Sequence, residues 1–281
     1  MALRIVVTGA GGQLGQVLVR DFQKTHEVYG LTRESLDITD RGAVAERILK
    51  LRPTVVVNCA AYNDVDGAEE NPKIALAANA FGVSALADAA RTCDAVFVHF
   101  GSDFVFDGTA SRPYSEKDPP NPLSVYGASK LLGEILATRA PKHYVVRVES
   151  VFGGAGRGSS IGRMADAFAK GDPVRAFVDR TVSPSFVDDV SRATRRLVEK
   201  GAPFGLYHCV STGFTNWMSL AQELAKLMGK PPNIAPVNTE RAGLKAPRPR
   251  FCALSNDKLS GVGIEMPDWS SALARFVAGR S

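Results

Sequence analysis

Apolar residues follow two alternating rhythms along the chain. Short continuous apolar runs, Leu3 to Gly9, Glu27 to Leu31, Thr54 to Ala60 and Ala95 to Phe100, alternate with longer stretches in which apolar positions recur every three or four residues. Runs of the first kind have the length and β-branched content of strands, and stretches of the second have the spacing of amphipathic helices. Leu14, Val17, Leu18 and Phe22 share one helical face of the segment Leu14 to Phe22. Arg41 to Leu51 forms the next helix, with Asp40 as its N-cap. A long helix is expected over about residues 70 to 92, and another opens at Ser124.

Alternation of strand and helix predicts an α/β fold, a Rossmann-like doubly wound parallel sheet with a smaller C-terminal α/β substrate lobe. Beyond residue 150 the chain passes between the two. Val187 to Lys200 is an amphipathic helix, and Gly205 to Val210 is a strand that rejoins the sheet. Asn216 to Met228, with Trp217, Leu220, Leu224 and Leu227 at helical spacing, is a helix of the lobe, and Trp269 to Val277 closes it. The expected division is therefore 1–150 with 184–212 for the dinucleotide-binding domain, and 151–183 with 213–281 for the substrate lobe. Loop-rich interruptions fall at 107–123, 153–161 and 230–250.

Composition narrows the function classes. At 281 residues, 45% hydrophobic and 22% charged, the chain can bury a large core. The formal charge of +5 is modest and the basic residues are scattered, which speaks against a nucleic-acid partner. No apolar stretch is long enough to span a bilayer, so no membrane partner is expected. Cys59, Cys93, Cys209 and Cys252 show neither metal-ligand spacing nor a disulfide framework, which fits a reducing cytoplasm. Monomer and homodimer both remain open.

Gly9-x-x-Gly12-x-x-Gly15 joins the first strand to the first helix. Glycines there permit a tight turn and let a pyrophosphate approach the backbone at the helix N-terminus, where Gln13 and Leu14 stand. After the second strand, where an acidic residue would take a ribose hydroxyl, the chain has Arg33. A guanidinium suits a 2'-phosphate, so NADPH is expected as cofactor, with NADH possible; the alternative for Arg33 is a plain surface charge. Asp37 and Ile38 are placed against the adenine. The third strand leads into Ala60, Ala61 and Tyr62 beside the cofactor and Asn63, Val65 and Asp66 toward a substrate, while Asn79 holds backbone groups near the cofactor.

The fourth strand delivers Ser102 to the same edge, followed by Asp103 and Phe104. On the helix after Ser124, Tyr126 and Lys130 stand four residues apart and so share a face. A free phenol ionises near pH ~10, and a neighbouring ammonium lowers that value. Tyr126 is thus expected to exchange a proton near neutrality with help from Lys130.

The runs VVNCAAYNDVDGAEE, HFGSDFVFDG, YGASKLLGE and RPRFCALSNDKL resemble the dTDP-4-dehydrorhamnose reductase family of extended short-chain dehydrogenases, over nearly the whole chain. The resemblance implies NADPH- or NADH-dependent reduction of the 4-keto group of dTDP-4-dehydrorhamnose, with a nucleotide sugar as the small-molecule partner. It implies that Ser102 hydrogen-bonds the ketone oxygen, Tyr126 delivers the proton, and Lys130 tunes Tyr126 and holds the nicotinamide ribose. Phe177 to Phe186 resembles the stretch that lines the nucleotide-sugar cleft. Arg248 and Arg250, in an extended Pro-flanked segment, are candidates for a diphosphate, Arg250 foremost.

Three positions depart from the family pattern. Ser102 stands where threonine is usual, and Ser150, in Arg147-Val148-Glu149-Ser150, where a tryptophan is expected against the sugar. Val17 stands where some members carry a carboxylate linked to magnesium, so no metal is expected. Alternatives are a reductase of a different keto sugar, a related epimerase or dehydratase, and a non-catalytic regulatory subunit similar to the methionine adenosyltransferase β subunit.

Overall fold

A computed structural model describes residues 2–154 and 158–280; Ala155 to Arg157, within the expected loop 153–161, lie outside the described residues. The first half runs β1 (Arg4–Thr8), α1 (Gln13–Phe22), β2 (Glu27–Leu31), α2 (Arg41–Leu51), β3 (Val55–Asn58), α3 (Val65–Glu70), α4 (Pro72–Leu76), α5 (Gly82–Thr92), β4 (Val96–Ser102), α6 (Val125–Ala137) and β5 (His143–Val148). It continues through β6 (Val151–Phe152), α7 (Ser160–Lys170), β7 (Val174–Phe177), β8 (Thr181–Val182), β9 (Ser185–Phe186), α8 (Val187–Lys200) and β10 (Gly205–His208). Last come β11 (Thr215–Asn216), α9 (Trp217–Leu227), β12 (Ile234–Val237), α10 (Asp257–Gly261) and α11 (Trp269–Ala278).

Six strands form one parallel sheet in the order β10-β5-β4-β3-β1-β2. Helices cover both faces, which is why Ile5, Val7, Val55 and Val57 face one core and Val6 and Val56 the other. Leu18 and Phe22 of α1 and Val190, Ala193 and Leu197 of α8 close the first core. Val44 and Ile48 of α2 and Val83 and Leu86 of α5 close the second. The order in which strands are added reverses at β1, with β2 on one side and β3 on the other, so the carboxyl ends of β1 and β3 open a crevice. A third core, with Ile161, Phe168, Leu220, Leu224 and Phe276, lies in the C-terminal lobe.

The helix expected over about 70–92 runs without a break from Pro72 to Thr92, separated from α3 by the non-helical Asn71 and carrying a wide π turn, Ala77–Phe81, between α4 and α5. Proline lacks the N–H that would continue α3 and is accommodated only in a first turn. Leu259, Ile264 and Met266 also pack into the first sheet core, and β10 lies in the sheet beside β5. Among the described residues no helix is long and apolar enough to cross a membrane.

One buried ion pair fixes α6 on the sheet. Arg147 of β5 donates to Glu134 of α6 from Nε at 3.1 and 3.0 Å and from Nη2 at 2.7 Å. Arg147→Met leaves the Glu134 carboxylate buried and alone, and should destabilise the fold by about 3–5 kcal/mol. Urea unfolding checks this, and adding Glu134→Gln to the same variant should recover most of the loss.

Candidate active site

The strand ends and the glycine turn shape the crevice. Gly9 has φ +66°, and a Cβ on it would lie 2.5 Å from the Ala60 nitrogen; one on Gly15 would lie 2.3 Å from the Gly9 oxygen. Only glycine lets β1, the loop after β3 and α1 meet this closely. Gly12, the N-cap of α1, offers no side chain to the first turn, so the opening N–H groups are available to an anion.

Two cavities adjoin along Gly12 and the Cys59 to Ala61 edge. One, of about 750 Å³, is bordered by Gly9, Arg33, Asp37, Ile38 and Tyr62. Arg33 is 88% exposed at its rim and pairs with Asp37 at 3.7 Å. Lys73 of α4 supplies a second cation there, one that strand-end reasoning misses because it comes from a helix. Asn79 does not border the cavity. It is buried behind Tyr62, accepting from its N–H at 2.8 Å and donating to its carbonyl at 3.0 Å and to Ser129 Oγ at 3.0 Å.

The other cavity, of about 780 Å³, is bordered by Gln13, Leu14 and Gly15 on one side and by Asn63, Val65 and Asp66 on another. Ser102, Asp103, Phe104, Tyr126, Lys130 and Ser150 face it as well. Gln13 also donates to the Gly153 carbonyl at 2.6 Å, joining the glycine turn to the chain after β6.

Ser102 ends β4. Its hydroxyl donates to Asp103 Oδ1 at 3.0 Å and accepts from the Phe104 N–H at 3.2 Å. Ser124 caps α6, accepting from the Gly127 N–H, so Tyr126 and Lys130 enter the cavity from its first two turns. Lys130 Nζ donates to the Phe100 carbonyl at 2.6 Å, and burial lowers its ammonium to about 8. Tyr126 corrects the expectation from sequence. Burial first, and the Asp103 charge second, raise its phenol well above the ordinary value, while only Ser102 opposes them. The desolvation cost of a phenolate outweighs a cation that is itself drawn toward the Phe100 carbonyl.

Charged residues divide differently than expected. Asp66 accepts from the Lys245 and Ala246 N–H groups and pairs with Arg248 at 3.0 Å, which draws Arg248 to the cavity, over the Phe104 ring. Arg250 does not border the cavity. It is 59% exposed and pairs with Glu240 at 2.5 Å, whose carboxylate pulls it outward. Arg180, which nothing in its local pattern distinguishes from Arg175, borders the cavity instead, stacked on Phe177 and bonded to the Pro249 carbonyl. Ser150 takes φ +44° at the bend between β5 and β6. Trp217, expected to be core, packs in the lobe and also borders the cavity. Val17 is on the buried face of α1.

A family model described as the RmlD substrate binding domain matches residues 3–280. A dTDP-4-dehydrorhamnose reductase of Streptomyces griseus is 36% identical over 279 residues, covering 96% of this chain and 91% of its own. The crystal structure of such a reductase from Clostridium acetobutylicum superposes with a TM-score of 0.95 at 32% identity, covering 99% of each chain. One from Bacillus anthracis, in complex with NADP, gives 0.95 at 30% identity, covering 99% of this chain and 100% of its own.

Lys130 makes stability depend on pH. Its ammonium has an ordinary value of 10.5 when unfolded and about 8 when folded, so between these the unfolded chain holds the extra proton and stability rises with pH. Lys130→Met should remove up to about 1.4 kcal/mol per pH unit of that rise. The difference between wild-type and variant urea unfolding, taken across the window, measures it.

Proposed function

The chain belongs to the RmlD substrate-binding-domain family, and from that premise we propose that it uses NADPH to reduce the 4-keto group of a nucleotide-activated 6-deoxy sugar, dTDP-4-dehydrorhamnose, giving dTDP-L-rhamnose. It is an oxidoreductase of the keto and hydroxyl groups of its substrate. The observation that carries the reading is the convergence of Ser102, Tyr126 and Lys130 on the cavity that adjoins the glycine turn.

The glycine cradle and the open α1 N-terminus fit a dinucleotide pyrophosphate, with Arg33 and Lys73 at the rim for a 2'-phosphate; NADH is the weaker choice. Bound NADPH supplies the hydride. In this reading Ser102 orients the ketone oxygen, Tyr126 gives it a proton, and Lys130 holds the ribose and offsets the phenolate charge. Asn63, Val65, Asp103, Phe104 and Ser150 surround the sugar. Arg248, Arg180 and Arg163 bring positive charge to the same cavity for a diphosphate. Residues 1–150 with 184–212 and the 257–266 return form the cofactor domain, and the remainder forms the substrate lobe.

Ser150 favours one second reading, a different keto sugar. A hydroxymethyl group stands where the family pattern has a stacking aromatic, and Trp217 offers a ring from α9. The intact trio speaks against a purely regulatory subunit.

Loss of NADPH absorbance on mixing with dTDP-4-dehydrorhamnose tests the reading. Rapid oxidation is expected; intact NADPH binding without oxidation of this sugar moves the assignment to another keto sugar. Tyr126→Phe should cut kcat by about 10²-fold or more while NADPH still binds, and a near-native rate would remove Tyr126 as the acid. Arg33→Ala should weaken NADPH binding by about 10-fold or more and NADH binding little, the worth of one charged hydrogen bond. Equal losses by calorimetry would end the 2'-phosphate assignment.

A further inference from the structure

Behind Ser102 lies a second acid that the reaction as described leaves unused. Glu149 follows β5, is 2% exposed, and accepts from the Ser183 N–H at 2.5 Å through Oε2. Its Oε1 is buried with no hydrogen-bond partner among the described residues. A carboxylate oxygen of Glu149, one of Asp103 and Cys252 Sγ lie within 4.8 Å of one another. Arg180, 8% exposed, is the cation that acts on both carboxyls. The other titratable groups facing the pair are the Cys252 thiol and the Tyr126 phenol, with Arg248 beyond Arg180. Two buried carboxylates against one guanidinium would leave an uncompensated negative charge, and such a charge is relieved by keeping a proton.

We propose that Asp103 and Glu149 hold one proton between them at neutral pH, and that this proton, passed through Ser102, restores Tyr126 after each reduction. The second half rests on the reductase reading. As the ketone becomes an alcohol, the Tyr126 O–H bond breaks and its proton forms the new hydroxyl. The Ser102 hydroxyl, which rests on Asp103 Oδ1, turns to give its hydrogen to the phenolate, and Ser102 Oγ then takes the pair's proton from Asp103. Solvent returns one proton to the pair after product leaves. Each transfer breaks one O–H bond and forms one. The direction is downhill: burial holds Asp103 up at about 6, which still leaves it a stronger acid than the Tyr126 phenol, itself raised by burial, while burial and the Asp103 charge raise Glu149 above the usual carboxylate range. Glu149 acts through Asp103 and is a positioning residue.

Carbon-13 NMR of carboxyl-labelled, ligand-free protein tests the pair directly. One of the two carboxyls should keep its protonated shift at neutral pH, and Glu149→Gln, which can still accept from Ser183, should let Asp103 ionise at lower pH. Two ionised carboxyls in the wild type at neutral pH would overturn the pair, whatever the substrate. Stopped-flow NADPH oxidation tests the relay. In Glu149→Gln the ratio of first-turnover to steady-state rate should rise about 10-fold or more over wild type, since only the first turnover finds Tyr126 already protonated. Glu149→Asp should bring the ratio back toward wild type. An unchanged ratio, both phases slowing together, would reduce Glu149 to a structural role. Failure of the wild type to oxidise NADPH with a dTDP-activated 4-keto-6-deoxy sugar would sink the reductase reading without touching the NMR result.

Discussion

The site depends on the buried pair between Glu134 and Arg147. Gly101 stands opposite Arg147 in the β4–β5 register, and a Cβ there would lie 2.1 Å from Glu134 Oε1, so glycine is what lets the helix carboxylate reach under the strand. The guanidinium also lies over Phe106 at 5.0 Å and beside His208 of β10. Burial and the Arg147 charge push His208 down to about 3, so its ring stays neutral next to the cation. One helix is thereby tied to three strands. Lys130 and Tyr126 lie one and two turns before Glu134 on the same helix, and their direction into the cavity follows from that tie. Such a pair adds little net stability, because desolvation cancels most of the attraction; its contribution is orientation.

Where periodicity and local chemistry agree, the fold is legible in the sequence. β2, α2 and the Asp40 cap fall on the expected residues, since an apolar run, a polar break and a capping carboxylate all point the same way. The helix over about 70–92 is legible too, but neither the break at Asn71 before it nor the π turn within it shows in the pattern. That turn has a consequence for the site: it carries Asn79, whose amide serves both backbone groups of Tyr62 and so shapes the cofactor edge from behind. Asn79 is legible as a holder of backbone, and which backbone it holds is set by the tertiary fold.

Charges are the least legible part. Arg248 and Arg250, two residues apart, each follow a proline, and the partners Asp66 and Glu240 are what separate a cavity residue from a surface one. Tyr126 and Lys130 show the same limit. Spacing places them on one face, but the sign of a phenol's shift depends on burial and on Asp103, neither of which spacing reveals. Arg33 lies between these cases: the position after β2 is readable, and its exposure and its companion Lys73 are not.

The return of Leu259, Ile264 and Met266 to the sheet core bears on how the chain acquires its shape during synthesis. The strands of the first half emerge early from the ribosome, but one face of their sheet is completed by α8 and by this late segment, and its edge by β10. Until β10 has been made, β5 is an unpaired edge, and until the late segment through Met266 follows, the sheet exposes apolar surface around Tyr144 and Tyr207. Parallel pairing of this kind closes slowly because its contacts are distant in sequence. Nascent-chain binding by holdase chaperones is the ordinary protection for such a surface, and a truncation before residue 257 would leave it open for good.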